Sequence, residues 1–375
     1  MQLEAVSPKV FPPTYKDGKY AEEVRFIDGK IVPCVLLDSV ASQANRMELA
    51  IQDAWDESLI KLPVVSVDFS AVENPGFPKI TSLQAPHRIV DAIIRDSLLD
   101  GKLFRLSDIG KQFDSLSSGY VTPLLAHSPH SLVFGMWDST GQRGASGVKI
   151  ARAIVSEIIG VNAYRGVKTS SRIDPLNIRV KSGKLYQSKD GWTLDEKKAT
   201  KEKNKPVLLG KEGKPSEANH GNVPPTISDG SFTIDHAIQS TVLSFPALRR
   251  LRFPVKHGEK SKPDSDLAAR TYLAALGLLG ATLAVDLGYD LRSRCLLRAK
   301  DAVVWELLGK PGEPDTSYTI DKSTAIKIYN DSLKEVKAQK LPIETDENIL
   351  TPTADLVTLV KKSMEIAASE AGEGE

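Results

Sequence analysis

The sequence predicts an α+β protein, and three stretches carry that prediction. Ile31–Leu37 is an apolar run of strand length that passes directly into helical periodicity. Asp264–Leu287 is a long Ala/Leu-rich helical stretch. Leu291–Leu297, Ala302–Leu307 and Ser317–Ile320 follow it as three short strand-like runs.

Taken in order, residues 1–30 hold Pro12-Pro13, Asp17-Gly18 and Asp28-Gly29, which predict an irregular start with one hairpin. In the helix after Ile31–Leu37, Leu37, Val40, Ala41, Ala44, Met47, Ile51 and Ala54 gather on one arc, as a core-facing helix requires. Ser39, Ser42, Gln43 and Arg46 lie opposite, with Asn45 beside them. Short hydrogen-bonding groups leading to one guanidinium suit a surface that holds a polar, anionic partner. The plain alternative is a helix cap followed by an ordinary polar face.

Pro63–Phe69 reads as a strand and residues 73–78 as a turn. Pro86 opens a helix ending before Gly101, with His87, Arg88, Asp91 and Arg95 on its polar side. Ser131–Trp137 reads as a strand, Asp138–Gly147 as a glycine-rich loop and Val148–Ile159 as a helix with a core stripe of Ala151, Ile154, Val155 and Ile158. Lys149 and Arg152 fall on that helix's polar face. Strand, glycine loop and helix N-terminus make an anion-binding layout.

Residues 181–215 are lysine-rich and broken by glycines, with Trp192 and Leu208-Leu209 hinting at a hairpin; they read as a flexible arm. A turn-rich segment containing Asn219, His220 and Asn222 follows. Thr233–Leu243 then reads as a helix leading to Phe245–Pro254, where Arg249, Arg250 and Arg252 alternate with Leu and Phe. Thr324–Lys337 is another helix. The tail after Pro352 starts helical and gives way, over 365–375, to an acidic end expected to be disordered. The whole is expected to be a single elaborated domain, 1–375, with 181–215 projecting from it.

Composition narrows the setting. The chain has 375 residues, 41% apolar and 26% charged, as ordinary soluble proteins do. Cys34 and Cys295 each sit in apolar runs and read as reduced core thiols, and the N-terminus lacks signal-peptide regions; both point to the cytoplasm. Thr271–Val285 is short for a membrane span and reads as a buried helix, so no membrane is expected as a partner. Net charge is +1, yet Lys168–Lys262 holds 19 Lys/Arg against 10 Asp/Glu, which suits a basic face for polyanions or a solvated insertion.

Catalytic motifs are sparse. From Gly141 the spacing gives Gly147-Val148-Lys149 where a P-loop needs Gly-Lys-Ser/Thr, and Gly144-Ala145-Ser146-Gly147 is one residue short of a nucleophile elbow. His127 and His130 lack nearby Cys, so no metal site is assigned. His220 is a general-base candidate without a fixed partner, and more simply orders a loop or touches a ligand. Asp38 and Asp138 end strand-like runs, where either catalysis or N-capping accounts for them. No catalytic residue and no cofactor follow. Ser42, Gln43, Asn45, Arg46, Arg88, Arg143, Lys149, Arg152, Arg172, His220, Asn222, Arg249, Arg250 and Arg252 are the candidate binding residues for a polar, anionic partner, and together the cations favour extended polyanion binding over one small pocket.

Five segments, taken together, resemble one family. They are LLDSVASQANRMELAI (36–51), APHRIVDAIIRD (85–96), SLVFGMWDSTGQRGASGVKIARAIVSEIIG (131–160), EANHGNVPPTISDGSFTIDHAIQSTVLSFPALRRLRFP (217–254) and the Ala/Leu helix with Arg270. The family is the repeated backbone subunit of type I-G (formerly I-U) CRISPR Cascade complexes, in the RAMP superfamily. The resemblance implies an RRM-like (ferredoxin-like) antiparallel palm with helical insertions and a protruding thumb hairpin, for which 181–215 is the candidate. It implies a non-enzymatic protein whose copies stack head-to-tail along a CRISPR RNA, gripping backbone rather than bases, with target DNA read through the guide. Further implied partners are the complex's large subunit and its guide-processing or capping subunit. Related subunits cleave RNA with a loop aspartate, for which Asp38, Asp138 and Asp229 are matches by residue type alone. A metal-dependent RNA-cleaving relative, or an enzyme holding a phosphorylated ligand at 141–147, are the competing expectations.

Overall fold

The computed structural model describes residues 1–72, 76–139 and 147–374, with side chains through 367. It is a mixed α+β protein whose sheets are largely antiparallel. The chain divides into two compact units: Met1–Tyr164 with Phe232–Leu356, and Arg165–Ser231 with Val357–Glu375.

The first unit is built on a seven-stranded sheet. Its strands are β1 (Gln2–Ala5), β2 (Glu22–Ile27), β3 (Lys30–Asp38), β4 (Ile154–Val161), β5 (His236–Leu243), β6 (Tyr289–Arg292) and β7 (Cys295–Ala299), in the order β6-β7-β1-β5-β4-β3-β2. Every pairing in it is antiparallel, with Leu3 opposite both Ala237 and Ala299, and Ile159 opposite Ile238 and Leu36. Helix α1 (Val40–Asp56) follows β3, and helix α2 (Pro263–Asp286) lies in sequence between β5 and β6. Leu3, Val35, Leu37, Ile158, Ala237 and Leu297 belong to one buried cluster; Val32, Cys34, Ile159 and Val161 form a second. The central strands therefore bury apolar side chains on both faces.

That double burial corrects two expectations. Val148–Ile159 is a short strand, Val148–Ile150, and then β4; Thr233–Leu243 contributes β5. Two-faced apolar strands place hydrophobic residues at helical spacings as readily as at alternate ones. Ser131–Trp137 reverses the other way, into a helix over Pro129–Phe134 and a strand over Met136–Asp138. The helix expected from Pro86 is one 3-10 turn, Arg88–Val90, one helical turn, Ala92–Arg95, and the hairpin strands Ser97–Leu99 and Lys102–Leu103 about Asp100-Gly101. The strand near 64, by contrast, forms over Val64–Asp68 in a second, five-stranded sheet, where it runs parallel to Glu347–Pro352.

Helix α2 is a core helix. Gly277 and Gly280 let neighbours approach: a Cβ on Gly280 would stand 2.9 Å from the Ile51 side chain and 3.4 Å from Met47 and Phe134. Its other flank meets helix α3 (Lys322–Ala338), where the Tyr272 and Tyr329 hydroxyls lie 2.9 Å apart and buried. Both Cys34 and Cys295 are buried free thiols.

The second unit centres on a two-stranded ribbon, Tyr164–Arg172 against Val223–Thr233. Two small hairpins follow within 181–215, Tyr186–Ser188 with Gly191–Thr193 and Lys201–Glu202 with Lys205–Pro206, so the segment read as an arm is structured. Helix α4 runs Ala354–Gly374.

Candidate nucleic-acid interface

The polar face of α1 is turned to protein, not solvent. Asp38, the last residue of β3, is fully buried. Its Oδ1 accepts from Ser42 Oγ at 2.8 Å and Arg292 Nη2 at 3.2 Å; its Oδ2 accepts from Gln43 Nε2 at 2.6 Å and Arg46 Nε at 2.9 Å. Arg46 also donates to the Leu291 carbonyl at 2.6 Å. Gln43, 4% exposed, accepts from Ser156 Oγ and Gln239 Nε2, and Tyr289 donates its hydroxyl to Gln239 at 2.8 Å. A carboxylate ending a buried strand must be matched in charge and hydrogen bonds. Ser42, Gln43 and Arg46, all expected in the binding set, supply that match within the protein, with Gln43 buried and Ser42 and Arg46 half-buried. Asn45 alone of the four is exposed.

Arg88 is likewise internal. Its guanidinium grips Glu48 at 2.6 and 2.7 Å, donates to the Gly135 carbonyl at 2.9 Å and lies over the Phe134 ring. Arg88 holds a left-handed backbone, φ +55°, which these contacts sustain. Burial pushes the Glu48 carboxyl up to about 7 against the pull of Arg88. Arg152 donates to the neighbouring Phe134 carbonyl at 3.1 Å, and burial with Arg88 nearby lowers its guanidinium below the ordinary value. The two arginines thus meet at one turn, 134–135. Lys149 is exposed on the strand Val148–Ile150, where a helix is expected. Arg143 and residues 140–146 of the glycine loop lie outside the described residues.

In the second unit, Arg172 clamps a loop, donating to the Gly221 carbonyl, Asn219 Oδ1 and the His220 carbonyl at 3.0–3.2 Å. Asn222 accepts from the Asp174 amide at 2.7 Å and donates to Asn177 Oδ1 at 3.0 Å. The His220 ring meets Trp192 edge-on, centroids 5.8 Å apart. The structure brings Arg172, His220 and Asn222 together, and uses them to fix the loop.

Arg249 and Arg250 differ from the rest. They end the short helix Phe245–Arg249, are exposed, and no hydrogen bond or ion pair engages either guanidinium among the described residues. Arg252 beside them caps the Arg249 and Leu251 carbonyls and stands 3.5 Å from Asp266, which also takes Arg270 at 3.0 Å. Burial lowers the Arg270 guanidinium below its ordinary value; Asp266 opposes this, and Arg252 and Arg249 add to it.

Of the other groups singled out, His130 is fully enclosed, with Nε2 near Ser128 Oγ and the Ser82 carbonyl, and burial pulls it down to about 3. His127 Nδ1 lies 3.4 Å from Glu344. Asp138 is buried and accepts from Arg105 at 2.7 Å, while Asp229 is exposed on the ribbon. Sequence reasoning missed Glu48, Arg292, Gln239 and Asp266. The partners of the first three sit 40 to 254 residues away, where no local pattern marks them, whereas Asp266 also pairs with Arg270 one helical turn on.

Residues 2–165, which carry β1 to β4, Asp38 with Ser42, Gln43 and Arg46, and the Glu48–Arg88 pair, match the model of the family described as CRISPR-associated protein GSU0053 (Cas_GSU0053). That span is a little under half of the chain, and it supports a CRISPR-associated protein. No curated protein matches the chain.

Proposed function

We propose that this chain is the backbone subunit of a type I-G CRISPR effector complex, of the RAMP superfamily. It holds CRISPR RNA without regard to sequence, in a head-to-tail filament of its own copies, and supports guide–target DNA pairing in antiviral defence. The observation that carries the reading is the family match over residues 2–165. The fold supports it: β7-β1-β5-β4 is an antiparallel sheet with α1 in sequence between β1 and β4 and α2 between β5 and β7. With β2, β3 and β6 as additions to the sheet, this order is compatible with the βαββαβ palm that the reading expects. The large subunit and the guide-processing or capping subunit of the complex are the further partners, and the setting is cytoplasmic.

Within this reading Arg249, Arg250 and Lys149 are the phosphate contacts we favour, being exposed cations; Asn45 is a lesser one. The second unit adds a basic surface, with 14 Lys/Arg against 8 Asp/Glu over residues 165–231. The protein acts by binding, and cleavage of target belongs to another component. Co-expression with a CRISPR array tests this through the absorbance ratio, the bound RNA length and the particle size. The expected product is a multi-copy particle on one guide RNA. A clean monomer without nucleic acid overturns the reading, and regularly spaced cleavage of complementary RNA on adding divalent metal overturns its non-enzymatic part.

A further inference from the structure

The second unit presents a loop of fixed shape with an apolar face. Ile173 and Leu176 are 84% and 75% exposed. The backbone between them is stapled: Asp174 accepts from the Leu176 amide at 2.9 Å and the Gly221 amide at 2.6 Å, while Arg172 and Asn222 bind the facing turn. Aliphatic side chains held out by a rigid loop lose little further freedom on docking, which is what an anchor needs. Exposed Arg179, Lys181 and Lys184 follow directly, with no acidic residue between Pro175 and Lys189.

The first unit holds a cavity of matching character, about 240 Å³ in volume. Ala50, Ala54 and Leu283 make an apolar floor. Asp53, Asp56, Glu57 and Asp286 stand around it, against one cation, Lys322, 3.3 Å from Asp286. The C-terminal turns of α1 and α2 add the negative ends of their dipoles. Burial, with Asp56 and Glu57 close by, holds the Asp53 carboxyl above its ordinary value.

We propose that this cavity receives the 173–184 loop of a second copy of the chain, with Ile173 and Leu176 on its apolar floor and Arg179, Lys181 and Lys184 facing the carboxylates. The contact is heterologous, loop to cavity; in a pair one copy keeps its loop free and the other its cavity, so it propagates. It rests on the head-to-tail reading and names the two surfaces that reading requires. The charges favour a second copy over an RNA occupant, since the cavity is acidic.

Zero-length carbodiimide cross-linking of mixed ¹⁴N and ¹⁵N wild-type chains tests it, at high concentration, with and without single-stranded RNA. The expected products join Lys181 or Lys184 to Asp53, Asp56 or Glu57 in peptides of mixed isotope. I173D/L176D and D53K/D56K, all at exposed positions, should each lower their yield at least tenfold. Mixing those two variants should restore one interface per pair, giving dimers and nothing larger. Single-isotope links only, links mapping elsewhere, a wild type that stays monomeric, or undiminished assembly in both variants overturns the proposal. RNA uptake by wild type, read by anisotropy of a labelled single strand, separates the two ideas. Mixed-isotope links without RNA binding sink the functional reading and keep the interface; RNA-loaded particles linked elsewhere do the reverse.

Discussion

Replacing Asp38 by Asn should destabilise the first unit while leaving RNA binding at saturating protein unchanged. The substitution keeps the side-chain volume and removes the charge on which Arg46 and Arg292 both converge. Breaking one side of a fully buried ion pair costs about 3–5 kcal/mol. Here the arginine side chains retain 33% and 25% of their exposure, so water compensates part of the loss. The expected cost is therefore about 2–4 kcal/mol, including the weakened bonds from Ser42 and Gln43. With a urea slope of about 3 kcal/mol per molar, the midpoint should fall by about 1 M. Trp55, at the end of α1, reports the transition by fluorescence. An unchanged midpoint at unchanged slope refutes the claim that the hub holds sheet to helix. Full stability with lost RNA binding is worse for it, because the α1 polar face would then meet ligand after all.

The remaining expectations concern charge, pH and packing. R249A/R250A should leave the melting temperature unchanged and reduce the slope of log affinity against log salt by about two, one for each phosphate no longer neutralised; an unchanged slope removes both from the interface. Glu48, raised from 4.5 to about 7, contributes stability that is fully present below about pH 4.5 and is lost as pH rises through 7. The melting temperature of wild type minus that of E48Q should therefore shrink from pH 4.5 to 8, by up to about 3 kcal/mol in equivalent stability; a growing difference refutes it. His130 has the opposite sign: lowered from 6.5 to about 3, it contributes stability above pH 6.5 that is lost on acidification toward 3. G280L should cost about 1–3 kcal/mol by overpacking α2 against Ile51 and Phe134, and chemical denaturation of the purified variant checks it.

What is legible in the sequence is whatever a single segment encodes by itself. β3, α1, α2 and α3 each carry their own period and fall within a few residues of where that period puts them. β4 and β5 read as helices because Ile154, Ser156 and Ile158 line one face while Ile159 and Val161 serve a second cluster, so no clean alternation survives. The polar side of α1 is visible in the sequence, but its destination is not. Ser42 and Arg46 look outward on a wheel until Asp38 is known to be buried and Arg292 to arrive from 254 residues away. Arg249 and Arg250 are recognisable because their exposure follows from a short, locally encoded turn.

β1 sits in the middle of its sheet, and this sets an order on synthesis. Leu3 must wait for Ala237 on one side and Ala299 on the other. At about 5–20 residues per second, that is a delay of roughly 10–60 s after Leu3 is made. Until then β3 and α1 exist without the strands that later bring Gln239 and Arg292 to Asp38 and its neighbours. The nascent chain thus carries a half-assembled charged core for most of its translation, and the seven-stranded sheet closes only near the end.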